Sequence, residues 1–523
     1  MNTNSGAPSP SAPPARAPGA AGSQPPVVAG RAARAPRLAI GIIAAAAFGI
    51  EIAVSARYGY VRDELYFLAA GHHPAFGYVD QPPLTPLIAR LSALLSGNTL
   101  VGLRVVPALG LAALVVLTAA MSRLLGAGRV GQILAALAAA TCGEYLGAMH
   151  ELTTTMPDFV FWALTLYLVM RLLTSRDPRW WLAIGGCAGV ASEAKWNIAF
   201  LMGALAAGFL ATDARRLLRS RYLLLGCVIF AAVAAPDVIW QAAHGWPSFD
   251  VFRTLQGQAG HNRATYWIAQ VLFTGPVLAP VWIAGAIWSV GSGEARRFRA
   301  VGIACVLVIA AQFALGGKAY YPGGAYTFLL AAGCVPLERW LAARKRRAWH
   351  PAALMGAAML VGGVIAAPIT LSVLPARALA TVPLQKINYD LAESIGWPQQ
   401  VALVAREYRA LPPGERPTTT ILAGNYGEAG ALDRYGPGDR LPAAFSGANN
   451  FWYWGPPPAR DRSAIAINVD PALLHRLFTT VRQVAVFHNG LGVSDDEQGA
   501  TIYRASGLRT TWAKAWPLLR KFS

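Results

Sequence analysis

Between positions 60 and 86 the chain reads YVRDELYFLAAGHHPAFGYVDQPPLTP, just after the apolar run LAIGIIAAAAFGIEIAVSA. Arg62, Asp63, Glu64, His72, His73 and Asp80 crowd among aromatics there, a density that a plain connector does not need. More residues of the same kind follow: His150-Glu151, Asp158, Glu193 and Lys195, Asp237 with His244, His261, and Lys318 before Tyr320 and Tyr321. A carboxylate can take a proton from an attacking hydroxyl or amine, and Lys or Arg can hold the charge of a departing phosphate. Tyr58, Tyr60, Tyr66, Phe67, Phe76 and Tyr78 offer flat faces to a sugar or lipid, although anchoring at a membrane interface accounts for the same rings. Carboxylates and cations alone do not separate glycosyl transfer from ion-coupled transport.

The elements that must position these groups are membrane helices. The 523 residues are 55% hydrophobic and 14% charged, against about 25% charged in soluble domains. Apolar runs of the length a bilayer demands are expected near 38–56, 100–122, 130–149, 154–173, 180–194, 196–212, 222–240, 265–289, 300–316, 325–342 and 351–374, eleven in all. Residues 84–96, entered through Pro82-Pro83, are too short to cross and suit a helix lying at the interface. The net charge of +19 sits mostly in short clusters between apolar runs and follows no basic-aromatic groove pattern, so nucleic acid is excluded as a partner. Alternate segments carry 21 positive charges and the intervening loops eight. The positive-inside rule then places the N-terminus in the cytoplasm and the C-terminus outside. On this topology the acids, imidazoles and both lone lysines converge on the external face, while the inner loops carry little but arginine.

Residues 1–36, rich in Ala, Pro, Gly and Ser, are expected as a disordered cytoplasmic tail. Residues 37–375 form the transmembrane part. From 376 to 523 strand-like and helix-like stretches alternate (TTTILAGNYGEAGALDRYG, SAIAINV, LLHRLFTTV, QVAVFHN), which predicts a small extracytoplasmic α/β domain. Its Gly-Asn-Tyr-Gly turn at 424–427 lacks the dinucleotide spacing. Cys142, Cys187, Cys227, Cys305 and Cys334 all lie in apolar runs without a CxxC pair, so they are read as core packing.

Arg62-Asp63-Glu64-Leu65-Tyr66 past the first span, followed by Gly77-Tyr78-Val79-Asp80-Gln81-Pro82-Pro83-Leu84, resembles the integral-membrane glycosyltransferases that use a polyprenyl-phosphate sugar donor. That superfamily, with its GT-C fold, includes the protein O-mannosyltransferases, the aminoarabinose transferase acting on lipid A, and galacturonosyl transferases of the lipopolysaccharide core. Thr153-Thr154-Thr155-Met156-Pro157-Asp158-Phe159, Ala194-Lys195-Trp196 and Lys318-Ala319-Tyr320-Tyr321-Pro322 resemble its later landmarks, so the likeness runs over residues 38–345. The resemblance implies Asp63 as the catalytic carboxylate, Glu64 beside it shaping the site, and Asp158 as a second acid near the acceptor. It implies Lys318 and Tyr321, assisted by Lys195 and Arg62, at the donor phosphate. Tyr66, Tyr78, Asp80, Gln81, His150 and Glu151 are the expected substrate-binding residues. Gln81 departs from the aminoarabinose branch, which has Lys immediately before Pro-Pro.

Plainer roles stand beside these. Asp63 suits the N-cap of a helix beginning at Glu64; Lys195 suits snorkelling from a span end; His150-Glu151 suits an ordinary span terminus. His72 and His73 lack a third ligand at clear spacing, and a divalent metal stays open. SGANNFWYWGPP at 446–457 suits either glycan or lipid binding or docking of the C-terminal domain on the membrane part. The expected activity is an inverting glycosyltransferase of a bacterial plasma membrane, moving a sugar from a polyprenyl-phosphate donor to an envelope lipid, glycan or protein. A secondary transporter or flippase using the same acids, and an envelope scaffold whose external domain does the work, are the rivals. No internal repeat favours the transporter.

Overall fold

The structure is a computed structural model that describes residues 1–6, 36–344, 349–382 and 384–522. Most of the expected tail, with Arg16, Arg31 and Arg34, and the basic residues Lys345, Arg346 and Arg347 lie outside the described residues. The membrane part runs through α1 (Arg37–Val54), α2 (Arg62–His72), α3 (Leu84–Ser96), α4 (Leu100–Leu124), α5 (Arg129–Thr141), α6 (Gly143–Ala148), α7 (Thr155–Ser175) and α8 (Trp180–Ser192). It continues through α9 (Ile198–Leu210), α10 (Arg221–Ala243), α11 (Ser248–Gln256), α12 (Ala259–Thr274), α13 (Ala279–Gly291), α14 (Arg299–Leu315), α15 (Tyr326–Ala343) and α16 (Trp349–Thr370).

Six helices among the described residues are long and apolar enough to cross a bilayer, and seven if α12 with α13 is one broken span. Each of the eleven expected apolar segments is helical, several of them as helices shorter than a full crossing. The segment expected as one span at 265–289 bends by 105° between α12 and α13. Gly275 stands there at φ +102°, a conformation glycine tolerates, and Pro276 behind it offers no N–H to continue the helix. The α5, α8 and α9 helices are apolar but only 13 residues each. The α3 helix is present where expected, with Pro83 as its N-cap.

Burial sorts the helices into layers. The α10 and α16 helices bury little of their surface and turn Leu224, Val228, Ile239, Leu354, Val364 and Ile365 outward. Water would make such a surface unstable and lipid does not; the chain is a multi-pass membrane protein. The inner helices are α7 and α15, the latter enclosed from Tyr326 to Val335. A Cβ on Gly285 of α13 would lie 2.0 Å from the Leu329 carbonyl of α15, and one on Gly333 1.9 Å from that of Val281. Only glycine allows these two backbones to touch.

The C-terminal part begins with α17 (Asp390–Glu393) and α18 (Trp397–Arg409). Beyond these lies a five-stranded sheet in the order β2-β1-β3-β5-β4, built from β1 (Thr419–Ala423), β2 (Ala444–Ser446), β3 (Ser463–Ile467), β4 (Phe478–Val486) and β5 (Thr501–Leu508). The β1 strand pairs parallel with β2 and β3, while β3-β5-β4 is antiparallel. Every residue of β1 is buried, as a strand covered on both faces requires. After β1 comes α19 (Tyr426–Tyr435), whose start is set by Asn425 and Glu428: Asn425 Oδ1 accepts the Glu428 N–H at 2.8 Å and Glu428 Oε2 accepts the Asn425 N–H at 3.2 Å. This reciprocal cap is what the Asn-Tyr-Gly-Glu sequence supplies in place of a nucleotide turn. Two shorter helices matter below, α20 (Asn449–Tyr453) and α21 (Pro471–Leu477).

One buried ion pair ties the first outer loop to the bundle. Glu64 Oε1 accepts from Arg104 Nε at 2.9 Å and the Leu152 N–H at 3.1 Å; its Oε2 accepts from Arg104 Nη2 at 2.8 Å and the Val61 N–H at 3.0 Å. Arg104 donates further to the carbonyls of Ser55 at 2.6 Å and Gly59 at 3.1 Å. With both side chains buried, removing one leaves an uncompensated charge and stranded backbone groups. Arg104→Met is expected to cost about 3–5 kcal/mol, read as a fall in the melting temperature of purified protein. Arg104→Lys is expected to recover only part of this, because an ammonium cannot make the bidentate contact.

Candidate active site

The α2 helix begins at Arg62 after an extended Val61, and Glu64, at the third position, reaches back to cap it. Asp63 is therefore not the cap; it projects from the first turn beside a Glu64 already committed to Arg104. Its Oδ1 accepts from the Tyr426 hydroxyl at 3.0 Å. The contact exists because α19 lies against α2 through glycines: a Cβ on Gly427 would meet Arg62 Cγ at 2.4 Å, and one on Gly430 the Leu65 carbonyl carbon at 2.8 Å. Burial raises the Asp63 pKa above the usual carboxylate range, opposed by the Tyr426 hydrogen bond and by Arg62, Lys318 and Lys195. A carboxyl raised in this way is a stronger base once it has lost its proton.

Two more acids share the field of Asp63. Asp390, from α17, is pushed up to about 6, by burial first and the Asp63 charge second, and hydrogen bonds with Glu151. Glu151 is itself raised well above its ordinary value by burial, with Asp390 adding to it. Facing them are the cations and tyrosines of the later landmarks. Lys195 Nζ stands 5.2 Å from the Tyr320 ring centre and 4.8 Å from that of Tyr321, and Lys318 Nζ stands 5.8 Å from Tyr320. Burial lowers Lys195 to about 8, and Lys318 pushes the same way. Asp158 Oδ2 accepts from Asn197 Nδ2 at 2.9 Å, and the same Nδ2 reaches the Tyr321 carbonyl at 2.8 Å. Asp158 thus holds the turn that carries Tyr320 and Tyr321.

Several expected site residues have other duties. The four acceptor positions of Glu64 are filled, which leaves it no lone pair for catalysis. Arg62 pairs with Glu393 at 2.6 Å, Asp496 at 3.1 Å and Glu497 at 3.2 Å, so its charge is spent on acids and not on a phosphate. The buried Tyr78 hydroxyl bonds the carbonyls of Ala70 and His73 and the N–H of Ala75, folding its own loop. Buried His150 bonds Glu51 at 2.9 Å and Ser372 at 3.0 Å, and burial lowers its imidazole to about 3, so it packs as a neutral ring. Tyr66 donates to Asp80 at 2.9 Å, and Asp80, raised to about 7 by burial, also accepts from Asn449 at 3.1 Å. His73 stacks on Trp454 with centroids 4.2 Å apart. Gln81 differs: it is 4% exposed and neither atom of its side-chain amide has a partner among the described residues.

Sequence reasoning gave no role to Arg104, Asp390 or Tyr426, and named Asn449 and Asn450 only within SGANNFWYWGPP, where docking was one of two readings. Asn450 Oδ1 accepts the Val79 N–H at 2.6 Å, so the SGANN stretch docks the C-terminal domain onto the loop that carries Asp80. Asp390, Tyr426 and the asparagines lie more than 300 positions from their partners or in an unremarkable stretch. The local signals were the Asn425–Glu428 capping pattern and the aromatic SGANNFWYWGPP stretch. Among the described residues no group of three His, Cys, Asp or Glu is arranged to hold a metal ion.

With this geometry in hand, likeness to known proteins becomes informative. Residues 80–240 match the family described as dolichyl-phosphate-mannose-protein mannosyltransferase. No curated protein matches the chain in sequence. In fold it is similar to ArnT from Cupriavidus metallidurans in the apo state, with a TM-score of 0.58 at 15% identity over 90% of this chain and 97% of that one. It is likewise similar to the same ArnT bound to undecaprenyl phosphate, with a TM-score of 0.55 at 16% identity over 90% and 98%. Helical bundle and C-terminal sheet domain together give this chain the fold of these structures, and its residues 80–240 carry the likeness to the mannosyltransferase family.

Proposed function

We propose that the protein transfers a sugar from a polyprenyl-phosphate carrier to an acceptor of the cell envelope, on the external face of the plasma membrane, with inversion at the sugar's anomeric carbon. The observation that carries this reading is a buried carboxylate, Asp63, within the field of two lysines that both lie over the Tyr320 ring. A neighbour in fold was crystallised with undecaprenyl phosphate, which supports a polyprenyl-phosphate donor here. The acceptor's hydroxyl or amine attacks the anomeric carbon, the bond from that carbon to the phosphate oxygen breaks, and Asp63 takes the acceptor's proton. Lys318 and Lys195 stabilise the phosphate dianion as it leaves on the polyprenyl chain. Tyr320 and Tyr321 hold the two ammonium groups in place through their ring faces. Gln81, an amide with both ends open, is suited to sugar hydroxyls, which donate and accept, where a lysine would seek phosphate.

Three outcomes test the reading. Asp63→Asn, in folded and inserted protein, is expected to lower transfer by about 10²–10⁴-fold. Mass spectrometry of envelope lipids and glycans from a deletion strain complemented with the variant reads it; one missing sugar and an accumulated polyprenyl-phosphate sugar are expected, and near-normal transfer sinks the assignment. The rate constant kcat/KM is expected to fall with acidity as Asp63 gains a proton, and to fall on the alkaline side near 8 as Lys195 loses its own. Lys195→Arg should move that alkaline limb upward, since guanidinium stays charged. Gln81→Ala should raise the KM for the donor about tenfold while kcat changes little, the mark of lost uniform binding.

A further inference from the structure

Tyr426 is where the C-terminal domain meets the candidate base. Its hydroxyl donates to Asp63 Oδ1 at 3.0 Å. Its chain neighbour Asn425 donates from Nδ2 to Glu497 Oε1 at 3.1 Å, and Glu497 Oε1 also accepts from Arg62 Nη2 at 3.2 Å. Arg62 in turn precedes Asp63. The contacts therefore close a ring through two covalently adjacent pairs, 62–63 on the membrane part and 425–426 on the C-terminal domain. The ring is stiff on both sides. Asn425 is locked by its reciprocal cap with Glu428, the Tyr426 ring centre lies 5.0 Å from that of buried Tyr66, and the glycine contacts of α19 with α2 leave no room to slide.

We propose that Tyr426 is a positioning residue for Asp63, and that the docked C-terminal domain is thereby a working part of the active site. By holding Oδ1, the tyrosine hydroxyl fixes the carboxylate's rotation and directs Oδ2 to the acceptor. The proposal rests on the reading of Asp63 as the proton acceptor. It also gives the domain a role distinct from tethering: undocking removes a hydrogen bond from the base itself. The other groups that face Asp63 are Arg62, Lys318, Lys195, Asp390, Glu151, Asp80, Tyr320 and Tyr389. Tyr426→Phe leaves all of these in place and keeps the ring packing, so it isolates the hydroxyl.

The experiment uses the full chain in lipid nanodiscs. The donors are undecaprenyl-phosphate mannose, galacturonate and 4-aminoarabinose, and the acceptor source is membranes of a deletion strain. With whichever donor the wild type uses, Tyr426→Phe is expected to lower kcat about tenfold, the worth of a hydrogen bond to a charged group. The donor KM should stay within about twofold. The acid limb of kcat/KM should move to higher pH, because the carboxylate loses a donor that favours its charged form. Tyr408→Phe, which loses only the hydroxyl bond to the Arg416 carbonyl at 2.8 Å, should match the wild type. If Tyr426→Phe lowers the melting temperature but leaves kcat and the acid limb of the folded fraction unmoved, Tyr426 is a docking contact and the proposal is overturned. Asp63→Asn run alongside separates the two failures: an active Asp63→Asn defeats the assignment of the base, whereas an inactive one with an unmoved Tyr426→Phe defeats only the role given to the tyrosine.

Discussion

The pair of Glu64 and Arg104 is the interaction on which the rest of the site depends. Desolvating two charges costs several kcal/mol per ion, and a buried pair holds only when its remaining donors and acceptors are satisfied. Here Glu64 fills its four acceptor positions from Arg104, Val61 and Leu152, and Arg104 spends its other donors on Ser55 and Gly59. Five segments are fixed to one another at one point: the end of α1, the connector after it, α2, α4 and the loop before α7. Asp63 inherits that rigidity without sharing the bonds. Neighbouring positions on a helix point about 100° apart, so with Glu64 driven inward to Arg104, Asp63 must face the gap that α19 closes. One of two adjacent acids is used for architecture, and the other is left free of those bonds, as the proposed chemistry requires.

The C-terminal domain completes this arrangement at a cost. It brings Asp390 beside Asp63 and Glu151, and Glu393 and Glu497 around Arg62. Carboxylates crowded away from water raise one another, as seen in Glu393, lifted to about 8 by burial against the pull of Arg62. A fold selected for stability alone would not gather them. Local rules broken together at one place, an unpartnered buried amide at Gln81 included, mark a site where structure has been traded for function.

The sequence was most legible where structure is local. The Pro83 entry to α3, the strands over TTILA and SAIAI and the apolar helices all follow from spacing and caps within a few residues, whereas α2 starts at Arg62 and not at Glu64, because Glu64 caps it from the third position. It was least legible at Tyr426 and Asp390, whose meaning comes from partners hundreds of residues away, and at Arg104, a single cation in the first turn of α4 that reads as a span end until Glu64 is placed beside it. At Arg62, Tyr78 and His150 residue type suggested ligand chemistry, and the fold gives each side chain partners within the chain that the sequence did not show. The break at Gly275-Pro276 was written in the residues, but apolar composition on both sides hid it.

The distribution of polar groups through the bundle bears on transporter against transferase. An ion or proton path needs ionisable or hydrated groups in succession through the bilayer. Among the described residues, α7 carries no ionisable group between Asp158 and Arg171 apart from Tyr167, α4 none between Arg104 and Arg123, and α15, the enclosed central helix, none before Glu338 apart from Tyr326 and Cys334. The Tyr326 hydroxyl is held by Gln270, and Glu338 is turned to the far end, where it accepts the Gly128 N–H at 2.6 Å. Between the two ends lies a layer of Leu, Val, Ala, Phe and Trp packed through glycine contacts. Such a layer insulates one face from the other. With the acids and lysines gathered at one end, the arrangement suits the proposed reaction, which begins and finishes on the same side, with a lipid-borne donor diffusing to it in the plane of the membrane.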